Sequence, residues 1–299
     1  MTHRRIILHI GSPKCGSTFL QRAMVQSREA MRAHGINYPH TGTGHPGNAA
    51  DIEHLTGETL EALFDGAIHT VLLSHEDLYA LTKGGDALSV LALKAGITVQ
   101  LLVFMRPFSE FVFGDYSQYM KQHFDIWLAS HNPYDGLDFT GFAKRRVGNL
   151  RPTIFMRQWQ RRFPETPLML ASHKDIRSVT EQLLDLPEGI IDWNVPRNLT
   201  NPSLRLEDCN RLAAAMREAT RDPDEIRAMY HEAYRHTDAP DADKTPELVA
   251  WLEAQFTNKN NMLLQVFGFD NRLGVHSPLT IAPPGAAIAP PNAAATPRD

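Results

Sequence analysis

The sequence predicts an α/β fold in which a mostly parallel central sheet lies between two helical layers. Three observations predict it. First, four short apolar runs, residues 6–10, 70–74, 99–105 and 168–172, are each bounded by polar or turn residues. Runs of that length without polar alternation suit strands covered on both faces. Second, helical patterns separate the runs, which implies crossover connections and a parallel sheet. Third, charged residues follow every run: Lys14, then His75-Glu76-Asp77, then Arg106, then His173-Lys174. Ligands of open α/β sheets bind at the carboxyl ends of the strands, so these four places are where a site is expected.

Taken in order, the first run breaks at Gly11 into a loop carrying Pro13, Lys14 and Gly16, and Ser17-Thr18-Phe19-Leu20 then open a helix. A helix N-terminus has unpaired N–H groups and the positive end of the dipole, so it attracts anions. Lys14 adds a full charge. The plainer alternative is a capped helix after a buried strand, since Ser and Thr also cap. After the second run, His75 and Glu76 are candidate general bases, and Asp77 is expected to cap a helix before Leu78. A metal reading of His69, His75, Glu76 and Asp77 is disfavoured, because neighbours at an extended strand end alternate in direction. The third run delivers Arg106 and a helix over 107–119 with Pro107 in its first turn.

Further along, helical spacing covers 204–219, 224–236 and 247–267, so the late chain is mostly helical. The Gly- and His-rich segment 38–55, with His40, His45 and His54, is expected to border a substrate cleft. The basic stretch from Lys144 to Arg162 reads as a solvated helix face in preference to an anion-attracting rim. Residues 1–270 are expected to form one domain. Residues 271–299 form a Pro/Ala-rich tail that is expected to be disordered, with too few large apolar residues to fold.

Composition narrows the function classes. The formal net charge of −4 argues against general nucleic-acid binding, so an anion site must be built from local cations. The two cysteines, Cys15 and Cys209, offer neither zinc spacing nor a disulfide framework, which fits a reducing cytoplasm. No apolar stretch approaches the roughly 18 residues of a membrane span. The apolar run near the N-terminus is too short for a signal peptide. A cytoplasmic protein without a transmembrane segment is expected; the oligomeric state is not readable.

The spacing in the first loop discriminates between anions. In the phosphate loop G-x-x-x-x-G-K-[ST], lysine directly follows the second glycine. Here Gly11 and Gly16 have that separation, but Ser17 stands where the lysine would be, and Lys14 precedes Gly16. The order Pro13-Lys14-Cys15-Gly16-Ser17-Thr18 instead resembles the 5′-phosphosulfate loop of the sulfotransferases, P-K-[ST]-G-[ST]-[ST]. His9-Ile10-Gly11 before it, Leu20-Gln21 after it, Gly35-x-x-Tyr38-Pro39, Ser74-x-Glu76, Trp159 with Phe163, Arg197-Asn198, and Asn260-Asn261 are similar to the bacterial branch. The likeness spans about residues 5–268.

This resemblance implies a P-loop NTPase-like fold and transfer of a sulfuryl group from 3′-phosphoadenylyl sulfate (PAPS), leaving adenosine 3′,5′-bisphosphate, with no metal. It implies that Pro13, Lys14, Cys15, Gly16, Ser17 and Thr18 hold the 5′-phosphosulfate. Arg106 would hold the 3′-phosphate, and Glu76 or His75 would take the acceptor proton. Arg197 would lie near the nucleotide. The acceptor would be a glycan, glycolipid or small hydroxylated metabolite. The chain departs from the family at Cys15, and at Gly114, where a serine contacts the 3′-phosphate. Ser117, one turn on and within roughly 60° of the same face, is the expected substitute. Two alternatives stay open: a nucleotide kinase with an altered phosphate loop, and a non-catalytic nucleotide or glycan binder.

Overall fold

A computed structural model describes residues 3–80 and 82–284. Six strands form one sheet in the order β2-β3-β1-β4-β5-β6. β1 (Arg5–Ile10), β3 (Thr70–His75), β4 (Thr98–Met105) and β5 (Leu168–Ser172) are the four apolar runs, and β2 (Ile36–Asn37) adds a two-residue edge. These five are parallel, with Ile10 beside His75 and Met105 beside Ser172.

Each strand presents alternate side chains to two different cores. Ile7, Leu72 and Phe104 pack under α1 (Ser17–Ala33) and α7 (Ile176–Leu184). Ile6, Leu8, Leu73 and Val103 face the opposite layer. That layer holds α2 (Gly57–Ala62), α3 (Gly85–Ala95), α4 (Phe108–Ser130), α5 (Phe139–Asn149) and α6 (Pro152–Arg162). The late helices α8 (Leu206–Arg217), α9 (Pro223–Arg235), α10 (Pro246–Gln255) and α11 (Thr257–Phe267) extend it. Burying one side chain such as Leu8 or Phe104 stabilises by about 1.5–3 kcal/mol, so both faces of the sheet are anchored.

The topology places the site. The chain leaves β1 toward the α1 face but leaves its neighbours β3 and β4 toward the other face. Connections that part in this way open a crevice at the carboxyl end of β1.

Three expectations are corrected. The domain does not stop at residue 270: Thr280–Ala282 form β6, antiparallel to β5, with Ala282 buried. Backbone hydrogen bonding to an open strand edge requires few large side chains, so Pro/Ala-rich composition did not prevent it. The rest of the expected tail, 285–299, lies outside the described residues. Pro107 is the residue before α4 rather than part of its first turn (ψ 133°). The span 247–267 is two helices broken at Phe256 (φ −96°, ψ 1°).

Candidate functional site

The loop between β1 and α1 is shaped by two close approaches. Gly11 N–H donates to the His75 carbonyl at 3.1 Å, and a Cβ on Gly11 would lie 2.5 Å from Glu76 Cα. Gly16 has φ 87°, and a Cβ there would meet Ile176 Cδ1 at 2.5 Å. Glycine adopts this left-handed backbone without strain. Lys14 is also left-handed, at φ 61°, a conformation that is costly for a non-glycine residue and tends to mark functional loops.

α1 begins without a side-chain cap, and Ser17 Oγ is buried with no partner among the described residues. Its first turn therefore keeps donors available. Lys14, Gly16, Ser17 and Thr18 line a cleft of about 680 Å³ together with Glu76 and Arg106. The carboxyl ends of β1, β3 and β4 thus meet in one cavity, as the strand-end rule requires.

Cations and carboxylates share this cleft, but Lys14 makes no close ion pair among the described residues. Lys14 Nζ donates to Gln118 Oε1 at 2.5 Å. Burial, reinforced by Lys121 and Arg106 and opposed by Asp115, lowers the Lys14 pKa to about 7. Burial lowers Lys121 to about 8; its Nζ donates to Asn201 Oδ1 and to the Pro202 carbonyl. Arg106 Nε lies 4.0 Å from Glu110 Oε2, a loose ion pair. An anion in the cleft would relieve Lys14 and Arg106 together.

Glu76 sits at the other end. Its Oε1 accepts from His45 Nε2 at 2.9 Å and its Oε2 from Gln21 Nε2 at 3.2 Å. Burial alone would raise its pKa. The hydrogen bonds from its own N–H and Gln21, with His45 and His75 nearby, outweigh burial and hold the carboxyl below the usual glutamate range. Behind it, Ser74 Oγ joins Gln21 Nε2 (3.1 Å) to His9 Nδ1 (2.8 Å). Burial lowers the His9 pKa to about 4, so this imidazole is neutral.

His45, His75 and Glu76 place one potential ligand atom each within 4.8 Å of one another. The hydrogen bonds argue against a metal there. His45 Nδ1 accepts from Gly47 N–H (3.1 Å) and His75 Nδ1 from Asp77 N–H (3.2 Å). In the neutral ring the proton is then on Nε2. Metal ligation through Nε2 would turn a protonated Nδ1 toward a backbone N–H in both rings. For the same reason His75 offers no free lone pair as a base, whereas Glu76 does. Of the other two sequence candidates, His69 bonds Thr70 Oγ1 away from this group and Asp77 Oδ2 lies 3.8 Å from His75 Nδ1.

The remaining expected residues divide. Pro13 and Arg197 line the cleft, Arg197 at its rim and paired with Asp238. Gly114 lies beside the Lys14 stem. Cys15 is buried, and burial pushes its thiol up. It borders a second, mostly apolar cavity of about 220 Å³, where Tyr79, Phe108, Phe111 and Phe155 are joined by Arg106, Arg146 and Arg151. Ser117 is a correction: it is buried, and its Oγ accepts from Leu204 N–H at 2.7 Å, outside the cleft. Asp77 is another: His75, not Asp77, caps the short 3₁₀ turn Glu76–Tyr79. Of the loop histidines, only His45 reaches Glu76; His40 bonds the His45 carbonyl, and His54 sits on the exposed surface beside Glu53. In the basic stretch, Arg145 and Arg162 pair with the exposed Asp135 and Asp86, whereas Arg146 turns inward to the buried Asp115, so the stretch is not uniformly a solvated face.

Sequence reasoning missed Gln118, Lys121 and Ser203, and gave no role to Gln21. A signal for the first two existed: Gln118 and Lys121 follow Gly114 at helical spacings of four and seven. Scans against protein-family models, curated proteins and solved structures return no match for this chain.

Proposed function

We propose that the chain is a PAPS-dependent sulfotransferase with a P-loop NTPase-like fold. One observation carries the reading: the Lys14 loop and Arg106, two cationic strand ends, open into the same 680 Å³ cleft. Two separated cations suit a nucleotide with phosphates at two positions. The central place of β1 in the order β2-β3-β1-β4-β5 supports the fold assignment.

In this reading Ser17, Thr18 and the first N–H groups of α1 bind the 5′-phosphate, and Arg106 binds the 3′-phosphate through its planar fork. The acceptor oxygen bonds to sulfur as the bond from sulfur to the bridging oxygen breaks. The acceptor proton passes to Glu76. The electron pair stays on the 5′-phosphate of adenosine 3′,5′-bisphosphate, where protonated Lys14 stabilises it. The lone-pair argument favours Glu76 over His75 as the base. The acceptor is a hydroxyl of a glycan, glycolipid or small metabolite, and the reaction is cytoplasmic. Among the described residues no helix is long and apolar enough to cross a membrane.

A thermal-shift comparison tests the reading. Adenosine 3′,5′-bisphosphate should stabilise the chain without metal and ATP with magnesium should not; the reverse result would favour a nucleotide kinase. Labelled PAPS then separates an enzyme from a non-catalytic binder, because only the enzyme passes the label to an acceptor.

A further inference from the structure

Three polar side chains stand in the otherwise apolar layer between the sheet and α1. His9 of β1 and Ser74 of β3 are register partners. They lie two residues beyond Ile7 and Leu72 on the same face, the one that packs under α1. Gln21 meets them from the second turn of α1. Gln21 and Ser74 are fully buried and His9 is 1% exposed. Together they form one hydrogen-bonded line. Glu76 Oε2 meets Gln21 Nε2 at 3.2 Å, Gln21 Nε2 meets Ser74 Oγ at 3.1 Å, and Ser74 Oγ meets His9 Nδ1 at 2.8 Å. The line starts at the cleft and ends inside the protein, where His9 Nε2 has no partner among the described residues. An unpartnered buried polar atom costs stability, so packing alone does not account for the line.

The direction of each bond follows from Glu76. An ionised carboxylate only accepts, so the Gln21 amide turns its nitrogen toward Oε2. The same nitrogen faces Ser74, so Ser74 Oγ accepts and its own proton turns to His9 Nδ1. His9 accepts it as a neutral ring protonated on Nε2, and burial keeps that ring neutral. Each link thus fixes the next. Rotating the amide would set its oxygen against the carboxylate. Gln21 Oε1 is buried without a partner among the described residues, so no other contact selects this orientation. Oε2 is committed to the line, whereas Oε1 meets the exposed His45.

We propose that Gln21 is the positioning residue of Glu76: backed by Ser74 and His9, it holds Oε2 as an acceptor, so that the proton of the sulfuryl acceptor goes to Oε1. The assignment rests on the transfer reading above, in which Glu76 is the base. The acceptor O–H bond breaks, its proton joins Oε1, and its electron pair forms the new bond to sulfur. The bridging oxygen leaves with the pair of the old one. A carboxylate already held in one orientation loses little order when the acceptor arrives.

Gln21→Met keeps the length of the side chain and removes the donor. Its turnover with PAPS should fall about 10-fold, the scale of one hydrogen bond to a charged group. KM for PAPS and the calorimetric affinity for adenosine 3′,5′-bisphosphate should not change. Losing a donor to the charged form raises the Glu76 pKa, so on acidification the variant should lose activity at a higher pH than wild type. His9, Tyr38, His45 and His75 also feel the Glu76 charge, Asp77 stands beside His75, and Lys14 and Arg106 line the same cleft. The Glu76 carboxyl is therefore also followed directly, by carbon NMR. Gln21→Glu, which sets a second carboxyl against the first, should raise its titration further. Ser74→Ala, which removes only the backing, should raise it less. An unmoved Glu76 titration in Gln21→Met, or a loss of bisphosphate affinity equal to the loss of turnover, would overturn the assignment while leaving the transfer reading intact. If the wild-type chain passes no label from PAPS, the transfer reading fails and the proton step with it, and the NMR titration still decides whether Gln21 holds the carboxylate.

Discussion

Two cavities meet at Pro13 and Arg106, and they differ in almost everything else. Above the loop lies the large polar cleft, with Lys14, Ser17 and Glu76 on its walls. Behind the loop lies the smaller, mostly apolar cavity, walled by Tyr79 and three phenylalanines with Arg146 and Arg151 beside them. Consecutive loop residues divide between them: Lys14 faces the cleft and Cys15 faces the cavity. The difference separates chemistry from packing at single-residue resolution. A change on the apolar side, such as at Cys15, alters what the loop rests on. A change on the polar side, such as at Lys14, alters the wall of the cleft.

Mutations can break or sharpen that contrast. The largest effect is expected on the apolar side. Phe108→Ala removes a buried ring and should lower stability by about 3–5 kcal/mol in urea unfolding, while the folded variant keeps its affinity for adenosine 3′,5′-bisphosphate. A parallel fall in affinity would show that the two cavities are not independent. On the polar side, Lys14→Ala should leave urea unfolding near wild type but reduce sulfuryl transfer by about 10²–10³, the usual loss of one charge-stabilising group. Turnover near wild type would sink the role given to Lys14.

The smallest effect is a proton. Lys14, with its pKa near 7, is charged in both folded and unfolded chains below that pH, and the cost of burying the charge is then felt in full. Between about pH 7 and the ordinary lysine value the unfolded chain holds more protons, so this group's contribution to stability improves as pH rises through that window. An anion in the cleft reverses the preference and restores the proton. Binding of the bisphosphate at pH 8 should therefore take up protons, read as an enthalpy that varies between buffers of different ionisation heat. Lys14→Met should remove most of the effect; an unchanged buffer dependence would place the proton elsewhere, with Lys121 the next candidate.

Four strands and the loop between β1 and α1 were legible in the sequence because each is a local pattern: an apolar run, then residues a few positions apart. β2 and β6 were not, since two or three residues carry no periodicity and their pairing depends on a distant edge. The same limit applied in the site. Glu76 could be named from its place after β3, but its partners His45 and Gln21 are 31 and 55 positions away. Ser117 shows how fine the margin is. At about 100° per residue it stands about 60° from Gly114, whereas Gln118 stands about 40° away on the other side. That difference decides which side chain meets Lys14 and which is spent on the Leu204 amide.

The pairing of β5 with β6 also bears on how the protein is made. β5 is complete at Ser172, yet the strand that covers its open edge is only translated after all four late helices. Until then a nascent chain emerging from the ribosome would expose one row of backbone donors and acceptors, the feature that invites edge-to-edge association. Solubility during synthesis should thus depend on a three-residue segment that touches none of the ligand-binding chemistry.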